Sequence, residues 1–161
     1  MTDIFTTWVN FVLQQEGGLT DDPHDPGGLT NFGIDKRSHP NLDIRALTRD
    51  QAIEIYRRES WIGTKADQMP PAIAIVYADT AVNQGAGTAA ALLQQSLGCK
   101  VDGSVGPVTL TAAAKSDARA AAAEFTARRV LRYAGTPGME RYGLGWMRRA
   151  VAALNLATGM A

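Results

Sequence analysis

The segment PPAIAIVYADTAVNQG, residues 70–85, constrains the fold more than any other. Its apolar residues run all round a helical wheel instead of sorting onto one stripe, and such a helix is stable only when neighbours cover every side. Pro70 and Pro71 suit its start, because the first helical turn leaves its N–H groups without intrahelical partners and proline lacks that group. The rest of the chain must therefore supply several helices to surround it.

The candidates can be read from periodicity. Ile4, Phe5, Trp8, Val9, Phe11 and Val12 recur at helical spacing ahead of Gly17 and Gly18, which predicts an amphipathic helix over 3–16 with Glu16 on its last turn. Thr48 is an N-cap candidate for a helix running to about Trp61, and GTAAALLQQSLG predicts another. The turn VDGSVGP breaks the pattern. Two more helices are expected, at about 107–134 and 139–157, the first rich in alanine and able to pack closely. Between the first two helices, Leu29, Phe32 and Ile34 alternate among Gly, Pro and Asp, which predicts a small β-hairpin. The expected fold is mainly α, with that hairpin near the N-terminus.

With 161 residues, 45% of them hydrophobic, the chain can bury one core, so a single domain over residues 1–161 is expected. The 16 basic and 16 acidic residues cancel, which argues against nucleic acid or an anionic membrane as the main partner. Cys99 is the sole cysteine, so an intrachain disulfide and a cysteine-based zinc site are excluded. No run approaches transmembrane length, and the first 18 residues lack the features of a secretory signal. Synthesis in the cytoplasm is the expectation, with another agent delivering the protein if its substrate lies outside.

Chemistry concentrates in QQEGGLTDDPHDPGGLTNFGID, residues 14–35. A calcium loop is a poor fit: in the spacing Asp21, Pro23, Asp25, Gly27, proline replaces a ligand and Phe32 stands where a bidentate Glu should close the site. His24 and His39 lack a partnered helical spacing, and no nucleophile elbow is present. Acid/base chemistry fits better. A carboxylate at a helix C-terminus faces the negative end of the helix dipole, which disfavours its ionised form and suits Glu16 to act as a general acid. Asp25, in a polar loop nine residues on, is a candidate for the carboxylate that orients a water or stabilises an oxocarbenium-like transition state. Taken alone, the same residues also make a solvated helix end and ordinary turns.

The motifs EGG, DPGG and TNFGI resemble those of glycoside hydrolase family 108, bacterial and phage N-acetylmuramidases that cut peptidoglycan. Here they stand as Glu16-Gly17-Gly18-Leu19 and Asp25-Pro26-Gly27-Gly28-Leu29-Thr30-Asn31-Phe32-Gly33-Ile34. IYRRESW, YADTAVNQG and LQQSLGCKVDGSVGPVTL are similar to further motifs of the family in the same order, so the likeness spans residues 5 to about 150. Leu19 and Ser60 occupy places where the family usually carries aromatics. Glu16, Asp25 and Thr30 also resemble the acid, second residue and threonine of phage-type lysozymes, with a last gap of four residues instead of five.

The resemblance implies a lysozyme-like fold, with a catalytic region at about 5–85 and a C-terminal helical region at about 86–155 resembling a peptidoglycan-binding segment. It implies hydrolysis of the β-1,4 bond between N-acetylmuramic acid and N-acetylglucosamine, with Glu16 as proton donor, Asp25 its partner ahead of Asp21 or Asp22, and Thr30 helping to place a water. Asn83, Trp61 and Asn31 are the substrate-binding candidates. Trp61 could equally serve the core, and Asp79, one helical turn from Asn83, is expected to be structural. The arginines of the last two helices read mostly as a charged helix face. No metal or organic cofactor is expected, the partner is the peptidoglycan glycan strand, and a monomeric phage or prophage endolysin released through a holin-type pore is the expected setting. A lytic transglycosylase and a non-catalytic peptidoglycan-binding or secretion-accessory protein are the rival readings.

Overall fold

The computed structural model describes residues 3–21 and 28–159. The chain divides into two compact units, Met1–Arg58 and Glu59–Ala161.

The first unit opens with helix α1, Ile4–Glu16, which buries Phe5, Trp8, Val9 and Val12. Their spacing of three, one and three residues puts all four on one face. Trp8 meets the ring of Phe5 at 5.9 Å and the edge of Tyr56 at 6.1 Å. Glycine ends the helix at position 17, where φ is +73°. A three-stranded antiparallel sheet follows in the order β1 (Thr20–Asp21), β2 (Leu29–Asn31), β3 (Ile34–Asp35). Thr20 pairs with Thr30, and Thr30 also with Asp35. The expected hairpin is thus β2–β3, with an extra strand on its edge. Helix α2, Arg49–Tyr56, begins at the capping box formed by Thr48 and Gln51, in which each side chain satisfies the other residue's backbone N–H. It passes into a π-helical turn, Arg57–Ile62.

The second unit is built around α3, Pro71–Gln84, in which every residue from Ala72 to Thr80 is buried. The all-round apolar reading of this segment is therefore met. Helices α4 (Ala86–Ser96), α6 (Ala118–Tyr133) and α7 (Met139–Thr158) pack against it, and α5 (Pro107–Lys115) packs on α6. Alanines 89, 90, 121, 122, 150, 153 and 157 are buried, and their short side chains let the helices approach closely. The helix expected over 107–134 is two. Asp117 interrupts it because its carboxylate accepts from the backbone N–H groups of Arg119 and Ala120 at 3.0 and 3.1 Å, capping α6 and competing with continuation of α5. The fold is mainly α with a small sheet near the N-terminus, as expected. No helix among the described residues is long and apolar enough to cross a membrane.

Candidate active site

Within the first unit, Glu16 ends α1 and is half-buried. Its aliphatic stem lies against the β2–β3 turn. That turn has two residues, Phe32 and Gly33, both with positive φ, at +53° and +78°. Two positive φ angles in a two-residue loop are what a type I′ hairpin requires. A methyl group on Gly33 would sit 2.6 Å from Cγ of Glu16 and 2.8 Å from its Cβ, and also 2.6 Å from the Tyr56 hydroxyl. Only a residue without a side chain lets the acid, the turn and the tyrosine approach so closely. Phe32 is the unusual member, since a bulky residue rarely adopts this conformation. The Tyr56 hydroxyl donates to the Phe32 carbonyl at 2.8 Å and pins the turn.

Thr30 sits in the middle of β2, half-buried, and its hydroxyl donates to the Gly28 carbonyl at 3.2 Å. Asn31 is buried, and its amide donates to the carbonyls of Ile44 at 3.1 Å and Leu47 at 3.4 Å, bracing the 36–48 connection. Asp21 forms an exposed ion pair with Arg45. Asp25 and Asp22 lie outside the described residues. Beyond the turn, the Asp35 carboxylate accepts from the Ser38 N–H at 2.7 Å; burial raises its pKa, but this bond, other hydrogen bonds and the nearby His39 together hold it below the ordinary value.

The remaining candidates belong to the second unit. Trp61 is 7% exposed and part of the core. Asp79 is fully buried and accepts from two arginines, Arg129 at 2.7 Å on one oxygen and Arg149 at 2.8 and 3.0 Å on the other. Asn83 joins the same network: its carbonyl oxygen accepts from the Tyr133 hydroxyl at 2.9 Å and from Arg129 at 3.5 Å. Asp79 thus has the expected structural role, while Arg129, 1% exposed, departs from the charged-face reading of the C-terminal arginines. A buried cation needs a buried partner, and here it comes from α3.

The VDGSVGP segment folds around buried Gln94. Its amide oxygen accepts from the N–H groups of Asp102 and Gly103, both at 3.0 Å, and its nitrogen donates to the Asp102 carboxylate at 2.7 Å and the Ser104 carbonyl at 3.0 Å. Among the described residues no group of three His, Cys, Asp or Glu side chains could hold a metal ion.

Tyr56, Gly33 and Gln94 were not singled out in the sequence. Tyr56 stands within IYRRESW and Gly33 within TNFGI, but nothing local says that Gly33 packs against both Glu16 and the Tyr56 hydroxyl.

Residues 9–85 match the family described as glycosyl hydrolase 108. Among solved structures, that titled "Structure of Brucella abortus SagA" is similar over 97% of this chain and 94% of that one, with a TM-score of 0.87 and 29% sequence identity. No curated protein matches.

Proposed function

From the match of residues 9–85 to the glycosyl hydrolase 108 family, we propose that the chain is an N-acetylmuramidase that cleaves the β-1,4 bond between N-acetylmuramic acid and N-acetylglucosamine in peptidoglycan. The observation that carries this reading is the packing of Glu16 against Gly33: a carboxyl group at a helix end, its stem fixed by a tight turn, keeps one direction of approach to a substrate.

In the proposed reaction Glu16 donates its proton to the glycosidic oxygen as the bond to the anomeric carbon breaks. Positive charge spreads over that carbon and the ring oxygen, and a carboxylate across the sugar ring stabilises it. Asp25 is the candidate for that carboxylate. Water supplies the oxygen that ends on the anomeric carbon, and its proton passes to a carboxylate. Thr30 is the candidate for helping to place that water. Asn83, Trp61 and Asn31 remain candidates for holding the glycan, Asn83 with its NH₂ group and the other two through the packing they support. No cofactor enters this chemistry.

The deciding experiment is clearing of purified cell-wall suspensions by the wild type and by Glu16→Gln. Loss of clearing by at least about a hundredfold is expected, the scale of a general acid's contribution. Equal clearing would remove Glu16 from the mechanism. Mass spectrometry of the released fragments distinguishes hydrolysis from transglycosylation, because an anhydro product lacks one water. Asp25→Asn is expected to retain little activity, and full activity would reject the carboxylate pair.

A further inference from the structure

The balanced charge of the whole chain conceals a cationic face on the second unit. Between residues 124 and 148 the charged side chains outside the core are Arg128, Arg132, Arg141 and Arg148 against Glu124 and Glu140, four bases less two acids, or a net +2. The remaining base of that stretch, Arg129, is paired with Asp79 in the interior. Glu124 pairs with Arg128 at 2.7 Å, whereas Arg132 and Arg148 have no ion-pair partner among the described residues.

Large apolar groups stand among these cations. Leu131 is 74% exposed, Leu144 63% and Tyr142 51%. Leu131, Arg128 and Arg132 line a groove of about 590 Å³ between α6 and α4, and Arg132 also lines the cavity that holds half-buried Trp146. The ring of Trp146 lies 6.1 Å from that of Tyr142, and the Arg141 guanidinium lies 5.2 Å from the centre of the Tyr142 ring. Shared residues thus join the end of α6 and the start of α7 into one patch. Exposed apolar groups rimmed by polar ones mark a binding surface. In a protein–protein interface the apolar residues gather at the centre and charges are displaced to the rim. Here the two kinds are interleaved: Leu131 adjoins Arg132, Tyr142 adjoins Arg141, and Leu144 lies one helical turn before Arg148. Interleaving suits a lipid surface, where anionic headgroups take the guanidinium groups while tyrosine, tryptophan and leucine enter at headgroup depth.

We propose that this face docks on the surface of an anionic phospholipid bilayer, with Arg132, Arg141 and Arg148 at the phosphate groups and Leu131, Tyr142 and Leu144 inserted among the headgroups. Contact of this kind is peripheral and needs no membrane-spanning helix. It is independent of the proposed cleavage reaction, since Glu16 and the turn against it belong to the first unit.

The test is co-sedimentation of the full chain with vesicles of phosphatidylglycerol and, separately, of phosphatidylcholine. Binding to phosphatidylglycerol should exceed that to phosphatidylcholine at least about tenfold and should weaken as salt is raised to about 0.5 M. Arg132→Gln and Arg148→Gln should each lower the partition coefficient about fivefold, and Leu131→Gln by a similar factor. Val108→Gln removes an apolar residue of equal exposure, 75%, on α5 outside the patch and should leave binding unchanged. All four positions are exposed, so circular dichroism of the variants should match the wild type. Equal sedimentation with both lipids, no sedimentation with phosphatidylglycerol, or an equal loss in Val108→Gln overturns the proposal. Undiminished binding by Leu131→Gln together with full displacement by soluble polyphosphate would also overturn it, because a site for a polyanion needs no apolar contact.

Discussion

The hydroxyl of Tyr56 donates to the carbonyl of Phe32 at 2.8 Å, joining the end of α2 to a turn 24 residues earlier. Phe32 holds a backbone conformation that costs a bulky residue on the order of 1–3 kcal/mol, and such strain persists only where surrounding contacts impose it. Tyr56→Phe removes the bond and leaves the ring. A loss of about 0.5–1.5 kcal/mol in urea unfolding is expected, together with a fall in wall clearing as the turn under Glu16 loosens. Unchanged activity at reduced stability would separate the turn from the proposed acid.

Gly33→Ala should act more strongly. The new methyl group would meet Glu16 and Tyr56 at 2.6 Å, and φ of +78° is unfavourable for alanine. Overpacking and backbone strain together are expected to cost roughly 2–4 kcal/mol, with clearing reduced at least as far as in Tyr56→Phe. Equal or greater activity in Gly33→Ala would show that the close packing of Glu16 is dispensable.

Asp79→Asn would leave Arg129 and Arg149 facing a neutral amide in the core of the second unit. Removing one partner of a buried ion pair costs about 3–5 kcal/mol, because the remaining charge is uncompensated. Thermal unfolding followed by circular dichroism should fall by roughly 6 °C or more. A shift near zero would mean that solvent reaches the arginines and screens their charge.

Asp102 provides a pH test. The hydrogen bond from Gln94, first, and then that from the Ser104 N–H hold its carboxyl below the ordinary value of 3.8. A folded-state pKa lowered in this way gives stability that is fully present above the unfolded value and is lost as pH falls through the folded one. Urea midpoints should therefore drop below about pH 4, and Asp102→Asn should make that acid limb shallower. An identical acid limb in the variant would assign the loss to other carboxylates.

What could be read from the chain divides along the range of the interactions involved. The central helix was legible because Ala72 to Thr80 are apolar on all sides or bond within the core, and the start of α2 was legible because Thr48 and Gln51 form their box three residues apart. Glu16 was marked by the glycines that stop its helix. The break at Asp117 was hidden by helix propensity, which stays high across Ala112 to Ala123 and is overruled by a single cap. Arg129 looked like one more surface base, since the carboxylate that draws it into the core lies 50 residues earlier. The approach of Gly33 to Glu16 and to Tyr56 was hidden for the same reason. Long-range pairs leave no periodic trace.

Gln94 carries a consequence for rebuilding this protein. One side chain on α4 sets the path of residues 102–104 by giving and receiving hydrogen bonds along that stretch. The turn is thus a lock whose key is stored on another element, and transplanting residues 100–107 into a foreign scaffold would carry the shape across only if the glutamine travelled with them.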